Sequence, residues 1–213
     1  MSIDFRRTTP YSRVYGFDRG TPIDRRYIEG FLERHAADVR GRVLEIKDDT
    51  YTRRFGGSRV VTTDVLDIDP ANPRATIVDD LTTGDRLESG AYDCVILTQT
   101  LQLIFDVQAA IRTVHRILAP GGVVLVTVPG ITHVPRADAE SWYWSFTALA
   151  MRRLFVPPFK DDAVSVSSHG NVLAAAAFLY GLALHELRED ELRVNDPEYP
   201  LTVTVRAVKE GAS

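Results

Sequence analysis

Polar side chains follow several short apolar segments of this sequence, at the positions where predicted β-strands end. In chain order they are Glu45, Lys47, Asp64, Asp80 with the neighbouring Leu81, Thr98 and Gln99. In open α/β sheets, ligands bind outside the carboxyl ends of the strands, near the point where the strand order reverses. We therefore expect these side chains to meet at one edge of a sheet and to line a single ligand site.

Three of these residues have the positions expected for an adenosine site. An acidic residue at the end of the second strand, about 20 residues beyond the first turn, can accept hydrogen bonds from both hydroxyls of a ribose. Asp64 has this position, although a solvated aspartate at a strand end is the ordinary alternative. Asp80 can accept a hydrogen bond from an adenine amino group, and Leu81 offers an apolar wall to the ring, although paired aspartates are also common in turns. The sequence thus predicts that these three residues bind adenosine.

The segment after the first strand distinguishes between adenosine cofactors. Dinucleotide sites use G-x-G-x-x-G so that a pyrophosphate can approach the backbone at a helix N-terminus. Here the segment reads "EIKDDTYTRRFGG", which lacks that glycine spacing and places Asp48 and Asp49 near the pyrophosphate position. Like charges repel, whereas the sulfonium and ammonium groups of S-adenosylmethionine attract carboxylates. The residues therefore favour S-adenosylmethionine over NAD or FAD.

Alternating strands and helices position these residues in the predicted fold. Strands are predicted at residues 42–46, 59–65, 75–81, 92–100 and 123–129, with helices at 21–39 and 107–118. In the second helix apolar residues recur at i, i+3, i+4 and i+7, and Pro120-Gly121-Gly122 ends it. Strands that alternate with helices predict a mainly parallel sheet with right-handed crossovers.

The C-terminal part of the chain departs from this alternation. Helices are predicted at 148–155 and 171–184, and two strands at 162–169 and 201–209 are expected to pair antiparallel at one sheet edge. The predicted fold class is α/β: a Rossmann-like, mainly parallel seven-stranded sheet with an antiparallel C-terminal edge strand and helices on both faces. We predict a single domain over residues 1–213, with an N-terminal arm and helix at 1–38 and a substrate-side loop and helix at 130–160.

Composition limits the partners of the chain. Of its 213 residues 45% are hydrophobic, which is enough to form a core without a disulfide or a metal. The formal net charge is −4 and the sequence has no basic stripe, so nucleic acid is not an expected partner. The longest apolar run, residues 172–184, is too short to span a bilayer. The N-terminal segment lacks the apolar run of a signal peptide, and the lone Cys94 lies in an apolar stretch, so a cytoplasmic location is expected. Monomer and homodimer both stay open.

The order of these segments resembles that of the class I S-adenosylmethionine-dependent methyltransferases. The resemblance covers roughly residues 40–130, and its most specific part is "IRTVHRILAPGGVVLVTVP", a helix ending in L-x-P-G-G directly before a hydrophobic strand. The family usually has E-x-G-x-G-x-G after the first strand; Glu45 matches the acidic residue, and Lys47, Asp49 and Tyr51 occupy the glycine positions. "SWYWSFTALAMRRLF" and "HGNVLAAAAFLYGLA" are similar to a glycine-poor bacterial branch, often found beside or fused to glycosyltransferases, that acts on sugar hydroxyls.

This resemblance implies methyl transfer to a hydroxyl of a saccharide or a glycosylated small molecule. A sugar hydroxyl is a poor nucleophile near neutral pH, so a general base is expected, and His133 just past the fifth strand is the leading candidate. The alternative for His133 is a loop histidine that packs against the neighbouring aromatic residues. Asp138 and Glu140 on the same loop could orient this histidine, bind sugar hydroxyls, or hold Mg²⁺ together with acceptor oxygens. The residues predicted to bind the acceptor are Gln102, Arg136, Tyr143 and Trp144, and each of them also has a structural alternative as a cap, core or surface residue.

Two other functions remain open at this level. Lys47 in the turn suggests a methyltransferase-like fold retained as a non-catalytic binding or regulatory subunit. A nicotinamide-dependent reductase is disfavoured because the glycine fingerprint is missing. Methyl incorporation from labelled cofactor and titration with NADPH distinguish these alternatives.

Overall fold

A computed structural model describes residues 6–211. The predicted arm begins within residues 1–5, which lie outside the described residues. The strands are β1 (Gly41–Ile46), β2 (Val60–Asp67), β3 (Ile77–Val78), β4 (Tyr92–Thr98), β5 (Leu118–Pro129), β6 (Val164–His169) and β7 (Thr202–Val208). The α-helices are α1 (Ile23–Arg34), α2 (Val107–Ile117), α3 (Ala148–Phe155), α4 (Val172–Leu179) and α5 (Glu189–Arg193), and a π-helical turn spans Thr52–Gly56.

The seven strands form one sheet in the order β3-β2-β1-β4-β5-β7-β6. The first five strands pair in parallel, and β7 lies antiparallel between β5 and β6. The predicted Rossmann-like, mainly parallel sheet with an antiparallel C-terminal edge is confirmed. The strand order reverses between β1 and β4, so the crevice beyond their carboxyl ends is where a ligand is expected.

Helices cover both faces of the sheet because successive strand residues point to opposite sides. Leu44 and Val95 pack with α2 and α3 on one face, whereas Val43 and Cys94 pack with α1 on the other. Strands buried on both faces need the continuous apolar runs that β4 and β5 have. A third cluster joins α4 and α5 to the start of α1 and to Leu201, the residue before β7.

Local signals in the sequence set the helix boundaries. Asp106 accepts a hydrogen bond from the Ala109 amide at 2.8 Å and caps α2, while Thr147 and Asn171 cap α3 and α4 in the same way. Helix α3 has the predicted bounds, and α1 ends at Arg34, earlier than residue 39.

Two strand predictions are corrected by the pairing. The segment predicted as a strand at 75–81 pairs only at Ile77 and Val78, because its later residues form a turn around Asp80. Strand β2 pairs with β1 as far as Leu66 and with β3 as far as Asp67, instead of stopping at residue 65. The carboxyl end of β2 is therefore three residues further along the chain than Asp64.

Candidate active site

A cavity of about 720 Å³ lies beyond the carboxyl ends of the first four strands. Side chains at these strand ends form its floor, and α1 with the turn after β1 forms one wall. Its lining includes Phe17, Arg25, Glu29, Glu45, Ile46, Lys47, Asp48, Tyr51, Arg54, Leu66, Asp67, Asp69, Asp79, Asp80, Leu81, Thr98, Gln99, Leu103 and Ile104. The structure thus brings together all of the predicted cofactor residues except Asp64.

Side chains rather than glycines build the turn after β1. The Glu45 carboxylate accepts hydrogen bonds from the backbone amides of Tyr51 and Thr52 at 3.1 and 2.7 Å. Asp48 accepts a hydrogen bond from the Thr50 amide at 2.9 Å and closes a local turn. Glu45 therefore binds the free amides at the start of the following helical turn, as an N-terminal cap does.

Glu45 is 2% exposed, and this burial raises the pKa of its carboxyl from 4.5 to about 7, against the lowering effect of its hydrogen bonds. Both of its oxygens already accept backbone hydrogen bonds. The residue consequently shapes the cavity wall, and its protonation state changes near neutral pH.

Asp67, not Asp64, occupies the end of β2 in the cavity. Asp67 accepts hydrogen bonds from the Asn72 side-chain amide at 2.7 Å and from the Asp69 amide at 3.1 Å. Asp64 lies inside the strand, where its carboxylate binds Arg42 Nε and Nη2, both at 2.9 Å, and the Tyr92 hydroxyl at 3.1 Å. The expectation that Asp64 stands at the end of the second strand is wrong, because β2 extends to Asp67.

Asp80 and Leu81 lie in the turn after β3, at the cavity wall. The Asp80 carboxylate accepts a hydrogen bond from the Thr82 amide at 2.7 Å, which fixes its orientation, and Leu81 is buried. Thr98 and Gln99 follow at the end of β4, as expected.

A second cavity of about 210 Å³ adjoins the first. The two share Phe17, Arg25, Lys47, Gln99 and Leu103. The remaining lining residues of the second cavity come from the N-terminal arm, α1, the segment after β4, the end of β5 and the loop after it, α4 and the start of β7. They are Tyr15, Asp24, Gln102, Pro129, Thr132, Asp138, Trp142, Phe178, Leu201 and Thr202. A small ligand in it would therefore lie next to one in the larger cavity.

The second cavity is lined by polar atoms that have no hydrogen-bond partner. Within residues 6–211, seven buried side-chain nitrogen or oxygen atoms lack a partner, and five of them belong to residues that line this cavity. The five are Tyr15 Oη, Asp24 Oδ1, Gln102 Oε1, Trp142 Nε1 and Thr202 Oγ1. Buried polar groups are normally paired, so this concentration indicates a site for a polar ligand.

Backbone strain is concentrated at the same place. Tyr15, Lys47 and Gln99 have φ values of +59°, +74° and +47°, and they are the non-glycine residues with positive φ in the described part of the chain. All three line the second cavity, and Lys47 and Gln99 also line the first. A left-handed residue other than glycine costs about 1–2 kcal/mol, and such strain is typical of functional sites.

The loop after β5, which was predicted to carry the catalytic residues, contributes only some of them to the two cavities. Asp138 lines the second cavity, whereas His133 and Glu140 line neither cavity. The His133 ring packs against Tyr15 with centroids 4.3 Å apart, and its Nε2 lies 3.3 Å from the Arg13 carbonyl oxygen. The N-terminal arm thus covers His133, which corrects the expectation that this side chain faces an acceptor.

The predicted acceptor residues divide in a similar way. Gln102 is 2% exposed and lines the second cavity, where Nε2 donates to the Gln99 carbonyl at 2.9 Å and Oε1 has no partner among the described residues. Arg136 is exposed and lines neither cavity. Tyr143 and Trp144 lie outside both cavities in an exposed aromatic cluster with Phe105.

Sequence reasoning missed Tyr15, Asp24 and Thr202 as acceptor-site candidates. They lie on three separate segments and share no motif, and Asp24 has the ordinary signature of an acidic residue in the first turn of a helix. Ile28, one helical turn after Asp24, belongs to the apolar face of α1 and indicates only that this face is buried.

The larger cavity suits a cationic adenosine cofactor. Seven carboxylate and three cationic side chains line it, so its net charge favours a sulfonium and an ammonium over a pyrophosphate. Asp67 could accept ribose hydroxyls, and Asp80 with Leu81 could hold adenine. No group of three or more His, Cys, Asp or Glu side chains arranged to hold a metal occurs between residues 6 and 211. None of the helices described in that range is long and apolar enough to cross a bilayer.

Residues 16–158 match the family described as a methyltransferase domain. Among solved structures, the chain is similar to an S-adenosylmethionine-dependent methyltransferase from Archaeoglobus fulgidus, with 12% identity, a TM-score of 0.60, and coverage of 87% of this chain and 94% of that one. It is also similar to N-methyltransferase NodS from Bradyrhizobium japonicum, in complex with S-adenosylhomocysteine, with 13% identity, a TM-score of 0.55, and coverage of 90% of this chain and 89% of that one. A third similar structure is the [4+2]-cyclase SpnF, with 14% identity, a TM-score of 0.58, and coverage of 88% of this chain and 82% of that one. No curated protein sequence matches the chain significantly.

Proposed function

The chain belongs to the methyltransferase-domain family as an S-adenosylmethionine-dependent methyltransferase, and we propose that it methylates a hydroxyl of a saccharide or of a glycosylated small molecule. When bound, S-adenosylmethionine supplies an electrophilic methyl group on a sulfonium. Asp67 is proposed to bind the ribose in place of Asp64, with Asp80 and Leu81 at the adenine.

The observation that carries this proposal is the polar second cavity beside the larger one. Its unpaired oxygen and nitrogen atoms can both donate and accept hydrogen bonds, as a polyhydroxylated ligand requires. Tyr15, Trp142 and Phe178 add aromatic rings, which contact the apolar faces of sugars. The shared wall at Lys47 and Gln99 would hold an acceptor next to the methyl donor, and such alignment supplies much of the rate enhancement in group transfer.

The size of the second cavity limits what can enter it. Drug-sized ligands occupy pockets of about 300–1,000 Å³, so a cavity of about 210 Å³ admits the reacting ring rather than a whole oligosaccharide. The aromatic cluster of Phe105, Tyr143 and Trp144 is proposed to bind the remaining sugar units. Tyr143 N donates to the Gln102 carbonyl at 2.8 Å, and Trp144 Nε1 donates to the Ile104 carbonyl at 3.0 Å, so the cluster is attached to the segment that lines both cavities.

The proposal includes a cytoplasmic location, which agrees with the buried free thiol of Cys94. Asp138 remains a candidate for binding acceptor hydroxyls at the cavity mouth, and His133 and Glu140 are not included in the proposed machinery.

Incubation with methyl-labelled S-adenosylmethionine and a panel of methyl glycosides, disaccharides and oligosaccharides tests this function. We expect label in a methyl ether of at least one sugar, found by mass spectrometry, and no label with heat-denatured protein. Binding of S-adenosylhomocysteine without transfer to any sugar would contradict sugar O-methylation and favour a binding subunit or a different acceptor class. Binding of NADPH in its place would indicate a reductase.

A further inference from the structure

Asp24 is a buried carboxylate that the fold aims into the second cavity. It is the second residue of α1 and is 9% exposed. Its Oδ1 atom accepts no hydrogen bond from the described residues, and the nearest cation, Arg25 Nε, lies 3.9 Å away. Arg25 in turn donates to the Tyr51 hydroxyl at 3.0 Å, so its guanidinium is directed towards the turn after β1.

An unpaired buried carboxylate oxygen is costly and rare unless a ligand pairs with it. Burial raises the pKa of Asp24 from its ordinary value, opposed mainly by the positive charge of Arg25. Burial, followed by the charges of Asp138 and Asp24, also raises the pKa of the Tyr15 phenol, which keeps that hydroxyl protonated as a hydrogen-bond donor. Asp24 thus presents a buried carboxylate oxygen, free to accept a hydrogen bond or a proton from a ligand in the cavity.

Unpaired groups from three other elements meet Asp24 at the same cavity. Gln102 Oε1 comes from the segment after β4, Thr202 Oγ1 from the start of β7, and Trp142 Nε1 from the loop after β5. Gln102 and Thr202 are 2% and 1% exposed, so neither can satisfy its free atom with bulk solvent. The cavity therefore has a carboxylate, an amide oxygen, a hydroxyl and an indole N–H available to one ligand.

We propose that Asp24 is the catalytic base of this methyltransferase and that it binds the acceptor hydroxyl in the second cavity; the assignment rests on the proposed function. The acceptor oxygen forms the new O–CH₃ bond as the C–S bond of the sulfonium breaks and leaves a neutral thioether. The hydroxyl proton passes to Asp24 Oδ1 and is released to solvent after the product leaves. Gln102 and Thr202 bind neighbouring hydroxyls and fix the position of the reacting ring.

The test compares Asp24→Asn with the wild-type protein and with Glu33→Gln, an exposed carboxylate on the same helix. The acceptor is the most active sugar of the panel described above. We expect Asp24→Asn to lower kcat about 100-fold or more, the range of general-base catalysis, with unchanged affinity for S-adenosylhomocysteine. Because the substitution removes a buried charge, the melting temperature should stay equal or rise. Glu33→Gln should behave as wild type.

A kcat within threefold of wild type for Asp24→Asn would overturn the assignment. Should Asp24→Asn lower the melting temperature, Asp24→Glu decides the question: partial recovery of kcat supports a base, and a loss equal to that of asparagine overturns it. If wild-type protein binds S-adenosylhomocysteine but methylates no sugar, the proposed function fails separately. Saturation-transfer NMR of the panel with the loaded protein then tests Asp24: sugar binding that Asp24→Asn weakens about tenfold supports the site, and absent or unaltered binding refutes it.

Discussion

Replacing Asp67 with asparagine should weaken cofactor binding, whereas the same change at Asp64 should not. The Asp67 carboxylate lines the larger cavity and accepts two hydrogen bonds from Asn72 and Asp69. A carboxylate has about four acceptor positions, so two remain for the hydroxyls of a ribose. Asparagine removes the charge and turns one acceptor into a donor.

The size of the effect follows from the hydrogen bonds that are lost. Hydrogen bonds to a charged group contribute about 1.5–3 kcal/mol, so we expect the dissociation constant of S-adenosylhomocysteine to rise about 10- to 150-fold. Isothermal titration calorimetry measures this constant directly, and a thermal melt of the variant without ligand checks that it is folded.

Asp64→Asn is the matched control because it lies in the same strand. Its carboxylate pairs with Arg42 and Tyr92 and does not line either cavity, so its loss should lower the melting temperature and leave ligand affinity unchanged. An unchanged dissociation constant for Asp67→Asn, or a loss of binding with Asp64→Asn in a folded protein, would refute the assignment of the ribose site.

Three further predictions address the turn after β1 and the acceptor side. Burial raises the pKa of Glu45 from 4.5 to about 7, so between these pH values the native state retains a proton that the unfolded state releases. Measured by urea unfolding, the free energy of unfolding of the wild type relative to that of Glu45→Gln should therefore fall as the pH rises from 4.5 to about 7. A difference between the two proteins that stays constant with pH would contradict this. Lys47→Gly should be more stable than Lys47→Ala by about 0.5–1 kcal/mol. Glycine adopts a positive φ without steric strain, and the backbone entropy that it loses on folding offsets only part of this gain. Equal stabilities of the two variants would argue against strain at this residue. Trp144→Ala should raise KM for an oligosaccharide acceptor and leave KM for its methyl glycoside nearly unchanged, and equal effects on both would exclude the aromatic cluster from acceptor binding.

Hydrophobic periodicity was sufficient to predict the sheet and most helices. The buried runs of β4 and β5 and the i, i+3, i+4 spacing of α2 follow directly from burial on one or both faces. The end of β2 could not be predicted from periodicity, because its position depends on how many residues of β2 pair with β1 and β3. The boundary was predicted two residues too early, and for this reason Asp64 was expected at the ribose instead of Asp67, the residue that lines the cavity.

The acceptor side was harder to predict because its residues are distant in sequence. Tyr15, Asp24 and Thr202 meet only after α1 and the N-terminal arm have packed beside the start of β7. His133 looked catalytic from its position after β5, yet the N-terminal arm places Tyr15 against its ring. Long-range packing of this kind leaves no local pattern in the sequence.

A crystal structure with S-adenosylhomocysteine tests the central claim most directly. We expect the ribose at Asp67, the adenine beside Asp80 and Leu81, and the sulfur directed towards the second cavity at Asp24. A ligand bound elsewhere, or a larger cavity that stays closed to it at saturating concentration, would contradict the claim.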